Sequence, residues 1–160
     1  VHDQMTDGRR FRVLGVVDEC TRECLALVAD TSISGQRVAR ELSRIIAWRG
    51  KPEAILSDNG TELTSNAILA WADERRVEWR YIQPGKPDQN AYIERFNRSY
   101  RTEVLNAHLF ESVAELRALT DTWLRIYNSE RPHDSLGRVP PLTFLPRPSS
   151  AGQSLLALST

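Results

Sequence analysis

Two β-branched, apolar runs lie close together near the start of the chain, RFRVLGVVD over residues 10–18 and ECLALVA over residues 23–29. Runs this rich in Val and Leu read as strands, and the short stretch between them leaves room only for an antiparallel turn. Asp7-Gly8, ahead of the first run, is a hairpin signal, so Val1 to Met5 reads as the remainder of an earlier antiparallel strand. The chain is thereby committed to a sheet before any helix begins.

The rest alternates. From Ser34 to Arg49, Val38, Leu42, Ile45 and Ile46 recur at helical spacing, and Gly50 with Pro52 ends the pattern. Glu53 to Ser57 is a short strand that delivers Asp58 to a turn. Ser65 to Arg76 reads as a helix with Ile68, Leu69 and Ala72 on one side, and Val77 to Ile82 as another strand. The prolines and glycine of Gln83 to Pro87 predict a loop, after which Asp88 can cap a helix running to about Asn106. A last helix, Ser112 to Asn128, turns Val113, Leu116, Leu119, Trp123 and Tyr127 toward the core. Three antiparallel strands followed by alternating helices and strands predict an α/β fold, a mixed sheet with helices on both faces. That order resembles the ribonuclease H-like fold.

At 160 residues the chain is one domain. Its 21 basic residues balance 21 acidic ones, so any contact with a polyanion must come from local patches rather than from net charge. Two such patches stand out: Arg9, Arg10 and Arg12, and the group Arg37, Arg40, Arg44, Arg49 and Lys51 around the first helix. Cys20 and Cys24 lack the spacings of a zinc site and read as buried thiols. No apolar run has the length of a membrane span, and no secretion signal opens the chain, so no membrane association and a cytoplasmic location are expected. The chain opens within an extended segment, which suggests a piece of something longer. PRPSSAGQSLLALST, at the other end, reads as a loosely held tail, giving a core over residues 1–146 and a flexible tail over 147–160.

The residues that carry chemistry are Asp58 in SDNGTE and Glu94 in QNAYIERFNRSYR, with Arg101 seven places beyond. Each has an ordinary reading, since Asp-Asn-Gly is a common turn and a Glu on a polar helix face is commonly just solvated. Their combination points further. At about 100° per residue, Asn90, Glu94, Asn97, Arg98 and Arg101 share one side of a helix whose other side carries Tyr92, Ile93, Phe96, Tyr100 and Val104. Asp58 stands at the exit of a strand, where open α/β sheets place ligands. Magnesium takes hard oxygen ligands, and two such ions about 3.5–4 Å apart serve an in-line displacement at phosphorus.

SDNGTE, GKPDQNAYIERFNRSYR and YNSERPHDSLGRVPP together resemble the catalytic core of bacterial insertion-sequence transposases, relatives of the retroviral integrases, from the first residue to about Pro146. The resemblance implies DNA transposition by 3′-end cleavage and strand transfer, with two Mg2+ (or Mn2+) ions held by Asp, Asp and Glu. Asp58 and Glu94 match the last two of these as catalytic and metal-binding residues. Arg101 matches a basic DNA contact, and Arg98, Asn90 and Lys86 match positions beside the same groove. Tyr127, Asn128, Arg131, Pro132 and His133 match a segment expected to pack and orient the last helix. DNA and further copies of the chain are the partners implied.

One departure matters. In the register of the resemblance the first Asp falls two residues upstream of Val1. Asp3 has the right strand parity but lies roughly 13 Å further along an extended chain. Asp18 is a second candidate, with capping of the turn before Thr21 as its alternative. Two carboxylates hold a metal pair poorly, so the chain as given is expected to be weak or inactive in strand transfer. A ribonuclease H-like nuclease and a non-catalytic DNA-binding or self-associating remnant are the competing readings.

Overall fold

In the computed structural model, residues 1–83, 87–144 and 155–160 are described. They form a six-stranded mixed sheet between two layers of helices. Strands β1 (His2–Gln4), β2 (Arg10–Asp18) and β3 (Cys24–Asp30) are antiparallel neighbours. Next come α1 (Gly35–Arg49), β4 (Ala54–Ser57), α2 (Asn66–Arg75) and β5 (Glu78–Tyr81), with β4 and β5 parallel. The second half holds α3 (Ala91–Tyr100), α4 (Val113–Ser129), the short α5 (Pro141–Phe144) and a final strand, β6 (Leu155–Ser159). Among the described residues no helix is long and apolar enough to cross a membrane.

Both faces of β2 are covered, which is why its sequence is a nearly continuous apolar run. Phe11, Val13 and Val17 pack toward Ile93, Phe96, Tyr100 and Leu116 of the α3–α4 layer. Leu14 and Val16 pack toward Val38, Leu42, Ile45, Ile68 and Trp71 of the α1–α2 layer. Gly15 marks where α3 crosses closest, because a Cβ there would lie 3.5 Å from both Ile93 Cδ1 and Phe96 Cε1. The helix starts obey local chemistry: Ser34 Oγ accepts from the Arg37 N–H, and Ser112 Oγ from the Glu115 N–H.

Four expectations are corrected. The last residues are not all a loose tail: residues 147–154 include only positions outside the described ones, but Leu155–Ser159 enters the sheet between β2 and β4. Leu156, Ala157 and Leu158 are at most 2% exposed, since the strand buries alternate side chains in both cores. The helix expected from Asp88 to Asn106 is three pieces: a 3-10 turn at Pro87–Asn90, then α3, then a π turn at Arg101–Leu105 in which the Asn106 N–H reaches the Arg101 carbonyl at 2.8 Å. Val104 still packs inward, so apolar spacing does not register the extra residue in that turn. Leu69 and Tyr92 are 47% and 44% exposed, and Trp71 takes the core place beside Ile68 and Ala72. Cys20 is exposed, and only Cys24 is the buried thiol, its pKa pushed well up by burial.

The basic group around α1 is largely consumed internally. Arg49 is buried and holds Asp18 at 2.9 Å and Glu23 at 3.1 Å, while Arg37 and Arg44 bracket Glu41. Asp18 accepts from the Cys20 and Thr21 N–H groups, which is the turn-capping alternative.

β6 holds the sheet together, because β2 and β4 each pair with it and not with one another. Deleting residues 155–160 is therefore expected to unfold the chain, and Leu158→Ala to cost about 2–5 kcal/mol. Urea denaturation followed by circular dichroism checks both, and an unchanged midpoint after the deletion would show the strand to be dispensable.

Candidate functional site

β1 and β6 lie on one line. In β1 the partners of His2, Asp3 and Gln4 on β2 are Arg12, Phe11 and Arg10, and Val1 continues this ladder by exchanging hydrogen bonds with Val13. Continued backwards, the place two residues before Val1 faces Gly15. Ser159 faces Gly15. β6 thus runs antiparallel to β2 in the register that β1 would have if prolonged, and Ser159 occupies the sheet position that the resemblance reserves for an Asp.

Asp58 sits next to it. The parallel register pairing Ser57 with Leu158 places Asp58 beside Ser159 at the end of β4. The Asn59-Gly60 turn then folds back so that the Gly60 N–H donates to Asp58 Oδ1 at 3.0 Å. On the α3 side, Asn97 Nδ2 donates to Ser159 Oγ at 2.7 Å. Glu94, three residues before Asn97 and so on the same face of α3, is exposed and makes no ion pair among the described residues. The fold therefore brings the Asp58 turn and Asn97, one helical turn after Glu94 on α3, to the same end of β6.

A residue not singled out by sequence is Glu62. Its carboxylate is buried beside Asp58, paired with Arg12 at 2.7 Å and bonded by the Thr61 and Thr160 hydroxyls. These hydroxyls and the Arg12 pair hold Glu62 below the usual carboxylate range against the effect of burial. Asp58 goes the other way. Desolvation raises its pKa and Glu62 adds to the rise, while the Gly60 N–H and the Val1 ammonium oppose it. Acidic spacing around the Asn-Gly turn was the available signal for Glu62. Nothing local marks Ser159, whose place depends on the register of a strand 101 residues after Asp58.

The remaining predicted positions scatter. Arg101, at the start of the π turn, ties to β1 through Asp3 at 3.1 Å and the His2 carbonyl at 2.8 Å. Arg98 is exposed on α3. Asn90 is 2% exposed and its Oδ1 is unpartnered among the described residues, so as folded its side chain offers no surface to DNA. Lys86 lies outside the described residues. Tyr127 packs on Phe96, Trp123 and His133, and Asn128 brackets the Cys24 backbone with two hydrogen bonds of 2.9 Å.

A pair of divalent cations does not fit this donor set. Ser159 offers a hydroxyl already bonded by Asn97 at the place the resemblance gives to an Asp, Glu62 is committed to Arg12 and two hydroxyls, and no three His, Cys, Asp or Glu side chains among the described residues are grouped to hold a metal ion.

A family model described as "Integrase core domain" matches residues 1–87, and a second of the same description matches residues 75–141. The chain belongs to the integrase core domain family. It is 46% identical over 144 residues to the "Insertion element IS476 uncharacterized 39.2 kDa protein" of Xanthomonas euvesicatoria, which covers 90% of this chain and 42% of that protein. It is 45% identical over 144 residues to the "Insertion element IS407 uncharacterized 31.7 kDa protein" of Burkholderia multivorans, covering 90% and 52%. A "Transposase for insertion sequence element IS629" of Shigella sonnei is 28% identical over 96 residues, covering 59% and 32%. The chain thus spans about half the length of the two more similar of these relatives. Among solved structures, the HTLV-2 integrase catalytic core domain in complex with magnesium superposes with a TM-score of 0.66 at 14% identity, over 87% of both chains. A chain of the simian T-cell lymphotropic virus intasome in complex with PP2A regulatory subunit B56 gamma gives 0.66 at 16%, over 93% of this chain and 55% of that one. The fold class is the ribonuclease H-like one expected from the element order.

In this integrase core, a raised Asp58 pKa means the folded state binds its proton more tightly than the unfolded chain does. Asp58 therefore penalises folding as pH rises above the unfolded value of about 3.9. Asp58→Asn is expected to raise the melting temperature at pH 7, with the gain shrinking toward pH 3.5. An Asn variant less stable than the parent at pH 7 would contradict this electrostatic assignment.

Proposed function

We propose that this domain serves DNA transposition in the cytoplasm, by phosphoryl transfer that frees a 3′ end and joins it to target DNA, with Asp58 and Glu94 as two of the catalytic carboxylates. The observation that carries the reading is the meeting of three elements at the end of β6: the Asp58 turn, Ser159, and the face of α3 that bears Asn97 and Glu94. The names of the relatives support it. The chain's own contribution is positioning and charge: the Gly60 N–H fixes the Asp58 carboxylate, α3 fixes Glu94, and exposed Arg98 and partly exposed Arg101 offer guanidiniums to DNA phosphates. Lys86 belongs to the same proposal as a DNA contact, and Asn90 only if α3 uncovers it. Joining two element ends calls for at least two copies of the domain, so a homo-oligomer is part of this reading.

The family resemblance implies magnesium or manganese, and such cations would supply charge neutralisation at the reacting phosphate. The side chains at hand lack one donor for them, so the 160-residue chain is proposed to be weak or inactive in strand transfer. That same shortfall favours a second reading, in which the isolated chain binds DNA or itself without catalysis.

Ser159→Asp separates the two. The new carboxylate would face Asp58 with Asn97 as a ready donor, and its burial leaves a charge that a divalent cation relieves. Mg2+ or Mn2+ is expected to raise the melting temperature of Ser159→Asp and not that of the parent. Metal-dependent nicking of element-end DNA is expected to rise at least about tenfold, and to vanish again in the Ser159→Asp, Glu94→Gln double variant. A folded Ser159→Asp chain that neither binds metal nor nicks DNA would sink the catalytic reading and leave the binding one.

A further inference from the structure

The flank of α3 turned away from Ser159 builds a second feature. Tyr92, Arg95 and Phe96 face the end of α4 and the loop after it, enclosing with Arg22, Arg131 and His133 a cavity of about 210 Å³. Arg22 enters from the β2–β3 turn, where its backbone adopts a left-handed conformation with φ of 60°. Its guanidinium lies 3.3 Å from the centre of the Tyr92 ring, which explains why an exposed tyrosine sits at this place on α3. Nε and Nη1 of Arg22 are both enclosed and have no hydrogen-bond partner among the described residues, and the same is true of His133 Nε2. Enclosed guanidinium donors without an acceptor are costly, and native proteins rarely leave them so.

The charge around these atoms is one-sided. Arg95 is exposed at the cavity and, like Arg22, makes no salt bridge among the described residues. Arg131 is paired with Glu103 on its far side. The carboxylates nearby do not answer them: Asp134 is 88% exposed and turns to Arg138, and Glu19 feels the Arg22 charge without pairing to it. His133 is pushed toward its neutral form by burial and by Arg131, Arg95 and Arg22, against a hydrogen bond to the Tyr127 backbone. The cavity therefore has room, unpaired donors and three guanidiniums, two of which have no carboxylate partner among the described residues.

We propose that it is a phosphate-binding site, taking a phosphoryl oxyanion on Arg22 and Arg95 either as a backbone phosphate of DNA or as free phosphate. The DNA source rests on the function proposed above. The site itself does not, since Asp58 and Glu94 take no part in it. An oxyanion there supplies acceptors for the enclosed Arg22 donors and offsets the field that keeps His133 neutral.

Titrating the full chain with inorganic phosphate, followed by nuclear magnetic resonance of the Arg side-chain N–H groups and of His133, tests it. Phosphate is expected to shift the Arg22 Nε–H and His133 signals, to raise the His133 pKa and to raise the melting temperature. Arg22→Gln and Arg95→Gln should each weaken binding at least about tenfold, the scale of one charge-assisted hydrogen bond. Arg40→Gln, on the exposed side of α1, should leave it unchanged. Arg95 is exposed, so its variant keeps the test alive if Arg22→Gln fails to fold. A DNA duplex that displaces phosphate identifies DNA as the source, and phosphate held undisturbed by DNA identifies the free anion. Absence of any shift at Arg22 and His133 with either ligand, or binding that survives both substitutions, overturns the proposal. Asp58→Asn is expected to leave the phosphate titration intact, and a Ser159→Asp chain that binds phosphate normally yet fails to nick DNA would count against the proposed function alone.

Discussion

The backbone ladder that seats β6 between β2 and β4 is the interaction on which the rest depends. Without it the antiparallel half of the sheet and the parallel half share no hydrogen bond, and the unpaired edges of β2 and β4 would each have to find water inside a protein core. The same strand sends Ala157 into the core under α3 and α4, and Leu156 and Leu158 into the core under α1 and α2. One five-residue segment thus couples both hydrophobic layers, and a period of two is what lets it do so.

That seating also sets the chemistry of the site. Asp58 is half-buried at the end of β4 because β6 runs alongside it, and its carboxylate is disfavoured as an anion for the same reason. Glu62, four residues further on, is buried more fully but satisfied by Arg12 and two hydroxyls. Two carboxylates a few residues apart are thereby driven in opposite directions: one locked into structure, the other left with unmet demand for positive charge.

Much of the architecture was legible in the chain because it follows from local rules. Strands β2 and β3, helix α1 with its Ser34 cap and Gly50 end, and α4 with its Ser112 cap all fall within a residue or two of their apolar patterns. Asp18 as a turn cap was among the readings open from sequence. The failures share a cause. LLAL is too short to tell strand from coil without knowing that a slot awaits it, the π turn at Arg101 leaves the apolar spacing undisturbed, and Tyr92 is aromatic for the sake of Arg22 rather than the core. The arginines of α1 likewise suggested a surface patch until Arg49 was found buried between two carboxylates.

By itself, the sequence determined the class of fold, the elements that carry Asp58 and Glu94, and the family resemblance, because periodicity, caps and motif spacing are properties of neighbours along the chain. Tertiary structure decided which residue stands beside Asp58, which carboxylate is spoken for, and which guanidinium is left without an acceptor. Those outcomes depend on strand register and on burial between elements far apart in sequence, where a shift of a single residue would move Ser159 to the opposite face of the sheet.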